Sequence, residues 1–83
     1  MQFESNPINN AVMEYVIIIE KNKNGWYTGQ CEQVPEAISQ GATLEELKEN
    51  MADAIRMVLD YKKAETRKLY VGKKTFFRRV AVL

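Results

Sequence analysis

The chain has no histidine, one cysteine, two prolines and one tryptophan in 83 residues. Without histidine there is no Ser-His or Cys-His nucleophile pair, no histidine metal ligand, and none of the side chain that most often serves as general base. Cys31 has no second cysteine with which to form an intrachain disulfide or a zinc site. With nothing to activate it, Cys31 reads as a small apolar residue on a strand. Single cysteine usage fits a reducing compartment, and the expected location is the cytoplasm. No apolar run approaches the roughly 20 residues that span a bilayer, so no membrane partner is expected. The first eleven residues are polar and lack the apolar stretch of a secretory leader. No G-x-G-x-x-G or Walker loop occurs. The run Val16–Ile19 holds only Val and Ile, with Glu14 and Glu20 at its ends, so it gathers no carboxylates for a metal-dependent nuclease. The expectation is a non-enzymatic protein with no catalytic, metal or cofactor residues.

The length is that of one thin domain, which buries only about 60–65% of its unfolded surface and gains from self-association. A homodimer or higher homo-oligomer is expected. The net charge of +1 hides an asymmetry. Residues 1–60 carry four basic and ten acidic side chains, net −6; residues 61–83 carry eight basic and one acidic, net +7. The acidic body suits a basic partner, the basic end suits nucleic acid, and the two also suit each other.

Along the chain, residues 1–12 are Asn-rich and aperiodic and read as a flexible N-terminal tail, leaving 13–83 as a single domain. Glu14–Glu20 is a β-branched strand without alternation, so both of its faces are expected to be at least partly covered. Lys21–Gly25 ends in Asn-Gly, a hairpin signal, with Gly25 as the turn residue. Trp26–Cys31 alternates as a second strand, Glu32–Glu36 is a loop in which Pro35 breaks any strand, and Ala37–Gln40 is a short third strand. Ser39–Leu47 then reads as strand end, turn and helix start. Gly41 is expected at φ > 0, Thr43 as N-cap, and Glu46 reaching back to the Thr43 N–H to complete a capping box. The helix is predicted from Leu44 to about Lys62, roughly 27 Å long. Leu44, Leu47, Met51, Ala54, Ile55, Val58, Leu59 and Tyr61 share its apolar side. Thr75–Leu83 alternates as a fourth strand.

The fold class is therefore α+β, in the order β-β-β-α-β. An antiparallel three-stranded meander is joined by a fourth strand parallel to the first, with one helix packed on one face. Apolar residues on the opposite sheet face would need cover, most simply from a second subunit.

Two sets of residues are candidate contact surfaces. Glu45, Glu49, Asp53 and Asp60 form an acidic helix face suited to a basic protein. Lys73, Lys74, Arg78 and Arg79 are suited to phosphates, with Tyr70, Phe76 and Phe77 as stacking partners, and would carry the alternative function of a small nucleic-acid-binding regulator. Phe76 and Phe77 also have the period of core residues, and no helix-turn-helix pattern is present, so nucleic acid is not favoured.

The run Gly25–Asn50 carries Gly25, Tyr27, Cys31, Pro35, Ser39, Gln40, Gly41, Thr43, Glu45, Glu46 and Asn50 in a spacing that resembles the HicB-like antitoxin family. The likeness extends over roughly Met13 to Tyr61. It implies a partial RNase H-like domain that is not a nuclease. The implied role is the antitoxin of a bacterial toxin–antitoxin pair. Its implied partner is a HicA-like toxin, a small basic protein with a double-stranded-RNA-binding-type fold that cleaves mRNA. Glu32 and Glu36 stand where the family often has Pro and Gly, so the loop before the third strand is expected to differ. Many members carry a C-terminal DNA-binding domain; here a basic strand follows the helix instead, and DNA binding is not implied.

Overall fold

The computed structural model describes residues 14–82. The expected N-terminal tail, residues 1–12, lies outside them, as does Leu83. Strands β1 (Ile17–Lys21), β2 (Tyr27–Cys31) and β3 (Ile38–Gly41) form an antiparallel sheet in the order β1-β2-β3, followed by helix α1 (Leu44–Lys68). The α+β class and the meander are those expected from the sequence. Among the described residues, no helix is long and apolar enough to cross a membrane.

The β1–β2 hairpin closes through Asn22. Its N–H donates to the Trp26 carbonyl at 2.7 Å, and its carbonyl accepts from the Gly25 N–H at 3.0 Å. Gly25 sits at φ +90°, a conformation that side chains with a Cβ rarely adopt. Alternation along β2 turns Gly29 and Cys31 inward, where both are buried, and leaves Gln30 exposed. The loop to β3 folds under the helix and buries Val34 and Ala37. The Ala37 N–H donates to Val34 at 2.9 Å, and the Cys31 N–H donates to Ala37 at 3.1 Å.

Leu47, Met51 and Ile55 recur at helical spacing and meet Cys31, Val34 and Ala37 in a small core, flanked by Tyr15, Ile17, Tyr27, Ala54 and Val58. All of this lies on one side of the sheet. On the other side Val16, Ile18 and Ile38 are about half exposed. Ile18 and Ile38 stand in one cross-strand row with Gln30 between them. Among the described residues, nothing packs over this second face of the first strand. The predicted apolar helix side is also only partly used, because Leu44, Leu59 and Tyr61 remain exposed. A sheet of three strands is too narrow to reach beneath them.

The fourth strand is a difference. Thr75–Val82 adopt no strand, and nothing described pairs with the outer edge of β1. The helix runs six residues beyond Lys62, because Lys63–Lys68 contains no breaker and is well supplied with helix formers. The Lys68–Glu65 pair at 2.9 Å and the basic last turn, opposite the partial negative charge of the helix end, favour the extension. The helix thereby carries the C-terminal segment past the sheet.

Candidate partner-binding surfaces

The β3–α1 junction fixes the direction of the helix and hence of every surface it presents. Thr43 is the N-cap, in extended backbone, and its Oγ1 accepts from the Glu46 N–H at 3.1 Å. Glu46 reaches back one residue further than a capping box requires. Its carboxylate accepts from the Ala42 N–H rather than the Thr43 N–H. Gly41 does not have the positive φ expected of it; the described glycines that do are Gly25 and Gly72. It is instead a site of close approach. A Cβ there would stand 2.6 Å from the Leu47 nitrogen and 2.9 Å from the Leu47 Cα. Asn50 completes the joint, its amide donating to the Gln40 carbonyl at 2.8 Å.

Leaving this junction, α1 presents Glu45, Glu49, Asp53 and Asp60 within about 80° of one another at 100° per residue. All four are exposed. Arg56 falls in the same stripe and pairs with Asp53. Glu45, Glu49 and Asp60 make no ion pair among the described residues, so they carry the stripe's available charge.

A second feature was not read from the sequence. Between β1 and α1 an apolar groove of about 680 Å³ opens beside the outer edge of the sheet. Ile17 and Ile19 form one wall and Leu44, Met51, Ile55 and Leu59 the other, with Glu45, Lys48 and Arg56 also along it. It opens because the helix overhangs a sheet that has, among the described residues, no strand beyond β1.

Lys73, Lys74, Arg78 and Arg79 are all exposed, strung along an irregular segment rather than presented on one face of a regular element. Several cations of this end lie over neighbouring rings: Lys73 over Tyr70 at 5.5 Å, Arg78 over Phe76 at 5.0 Å and Arg67 over Phe77 at 4.9 Å. Three of the rings proposed as base-stacking platforms are thus already faced by cations of the same chain.

On the opposite side of the helix, Lys62 reaches Glu36 at 2.6 Å and ties the β2–β3 loop to α1. The Lys62 ammonium bonded to the Glu36 side chain holds that carboxyl below its ordinary range, helped by a backbone donor at Glu36 itself. Glu36 departs from the Gly usual in the family that the sequence resembles, and here it gives the loop a charged anchor. Cys31 is fully buried, its sulfur 3.7 Å from the Gln33 side-chain oxygen. Among the described residues no group of three or more Cys, Asp or Glu side chains converges as a metal site would require.

No family model matches the chain, and no solved structure matches it. Two curated relatives do. A UPF0150 protein of Synechocystis is 30% identical over 59 residues, which is 71% of this chain and 86% of the relative. A UPF0150 protein of Archaeoglobus fulgidus is 35% identical over 51 residues, 61% of this chain and 74% of the relative.

Proposed function

The chain belongs to the UPF0150 family, and from that footing we propose that it is a non-enzymatic, HicB-like antitoxin-type domain. It works in the cytoplasm by binding and neutralising a small basic, HicA-like mRNA-cleaving toxin. The observation that carries this reading is the exposed acidic stripe on α1. A protein that grips RNA must present cations to phosphates. An inhibitor that covers those cations does best with carboxylates fixed in position and not already neutralised. Glu45, Glu49 and Asp60 are exposed on a regular helix and make no ion pair among the described residues, whereas the Asp53 charge is balanced by Arg56. Opposite fields would also speed encounter and disfavour wrong partners. In this reading the fold is the partial RNase H-like one, completed by a fourth strand beside β1, and the protein acts as a homodimer or higher homo-oligomer.

The test uses any small basic protein that a neighbouring reading frame encodes. Glu49→Lys with Asp60→Lys should weaken its binding at least tenfold, mostly through the association rate, and leave the melting temperature unchanged. The competing outcome is a small nucleic-acid-binding regulator working through Lys73, Lys74, Arg78 and Arg79. It would show as failure to bind the basic protein, together with tight binding of short DNA or RNA. That binding would weaken with salt at a logarithmic slope of about −0.7 to −0.9 per phosphate contacted. Such a result overturns the antitoxin reading.

A further inference from the structure

The outer edge of β1 and the segment Thr75–Val82 are each incomplete, and each has what the other lacks. The Val16 carbonyl accepts from the Glu32 N–H, and the Asn22 N–H donates to the Trp26 carbonyl. Backbone polarity alternates along an antiparallel strand, so the N–H and C=O of Ile17, Ile19 and Lys21 point outward. No described strand meets them. Beside that edge lies the apolar groove walled by Ile17, Ile19, Leu44 and Leu59. An open strand edge next to apolar side chains is a template for another strand.

The segment has the matching character. Phe76, Phe77, Val80 and Val82 are 70–87% exposed, beside a core that holds six buried apolar side chains among the described residues. Its eight residues would extend over about 26 Å as a strand, longer than the roughly 17 Å of β1. It also carries Arg78 and Arg79, part of the basic end that complements the acidic body.

We infer that the groove of one copy of this chain receives residues 75–82 of a second copy as the missing fourth strand, reciprocally. The chain's own segment is held away from its own groove. Leu59 is the last residue to line the groove, and α1 continues for nine more, about 14 Å further. Beyond the helix the backbone keeps turning, with Tyr70 N–H to Arg67 O at 3.1 Å and Lys73 N–H to Tyr70 O at 3.0 Å. Phe77 rests against Arg67 at that far end. Insertion into either copy releases Phe77 from Arg67, but insertion into the same copy must also undo the turns at Tyr70 and Lys73 and double back. A twofold-related copy can accept the strand with the helix end intact, and one symmetric exchange satisfies two edges and two grooves. The inference rests on the self-association part of the reading above and is independent of the toxin.

The test is cysteine trapping between two differently tagged full-length chains. One carries Ile19→Cys, or Lys21→Cys if the first fails to fold. The other carries a single cysteine moved stepwise from Arg78 to Val82. Cys31 is fully buried and stays in place. The chains are mixed, unfolded and refolded together, then oxidised. A disulfide needs Cα atoms within about 7 Å. Exchange therefore predicts covalent heterodimers that peak at one segment position, the one opposite the β1 cysteine, while its immediate neighbours, whose side chains face the other way, trap poorly. Chains carrying both cysteines that close into covalent monomers would show that the segment joins its own sheet, and would overturn the exchange. A dimer by light scattering with no trapping at any position would overturn the exchange and leave self-association standing, for instance through the Val16, Ile18 and Ile38 face. A monomer at micromolar concentration overturns both.

Discussion

Replacing Gly41 with alanine should be among the most damaging single-methyl changes available in this chain. The added carbon would stand 2.6 Å from the Leu47 nitrogen and 2.9 Å from its Cα. These are backbone atoms in the first turn of the helix, so no rotamer change relieves the contact. Either β3 separates from α1 or the helix start shifts, and both disturb Leu47, which is fully buried. Overpacking of this kind typically costs about 1–3 kcal/mol, and a backbone obstacle belongs at the upper end. A domain this small has only about 5 kcal/mol or so to lose. With a urea dependence near 1 kcal/mol per molar, the unfolding midpoint should fall by about 2 M or more at fixed protein concentration. Gly25 supplies the contrast. Nothing lies within 4 Å of a Cβ there, and only its φ of +90° is at stake. Gly25→Ala should cost about 1–2 kcal/mol through the left-handed backbone, and Gly25→Asn less, since Asn enters that region more readily. Asn at position 41 should bring no such relief. A midpoint change below about 0.5 M for Gly41→Ala would refute the close-approach argument.

Thr43→Ala removes the acceptor for the Glu46 N–H and should cost about 1 kcal/mol, read from the same urea curves. Glu36 should titrate below an ordinary glutamate when followed by NMR, and Lys62→Met should return it upward, because the Lys62 bond is the largest cause of the shift. The sign follows from linkage: the pair's contribution is fully present above the ordinary carboxylate range and is lost as pH falls through the lowered folded value. Raised salt should shrink the effect, since both side chains are about half exposed.

The sequence carried the elements whose signals are local. The Val-Ile run, the Asn-Gly turn and the Thr43 cap each depend on neighbours within a few residues, and each appears where expected, with boundaries shifted by small amounts. What was not legible depends on distance in space. Gly41 looked like a turn residue because glycine after a strand usually is; its actual constraint comes from Leu47, six residues on and one element away. The helix is expected to end near Lys62, yet every residue from Lys63 to Lys68 tolerates helix and it continues through them. The longer helix carries Thr75–Val82 away from the sheet edge where the fourth strand is expected. Of the candidate surfaces, the acidic stripe followed from helical periodicity alone. The groove did not, because it is made by the absence of a strand that the alternation of residues 75–83 led one to expect.

The residues that carry the family likeness are, for the most part, occupied in holding the fold. Gly25 turns the hairpin, Cys31 fills the core, and Pro35 offers its carbonyl to the Gln30 amide at 2.8 Å. Gly41, Thr43, Glu46 and Asn50 build the β3–α1 joint. A motif of this kind transmits a scaffold and says little about what the scaffold meets. Partner choice must then reside in side chains to which the fold assigns no contact. Within the motif, Glu45 stands out. It is exposed and unpaired among the described residues, and beyond its modest interaction with the helix dipole it has no structural duty. It also stands where the acidic stripe meets the groove. If the groove is closed by a strand from a second copy, Glu45 lies at the seam between the two chains. The stripe would then be presented by the assembled dimer. On the proposed reading, the copy number at which a basic partner is captured would then follow from how the fourth strand is supplied.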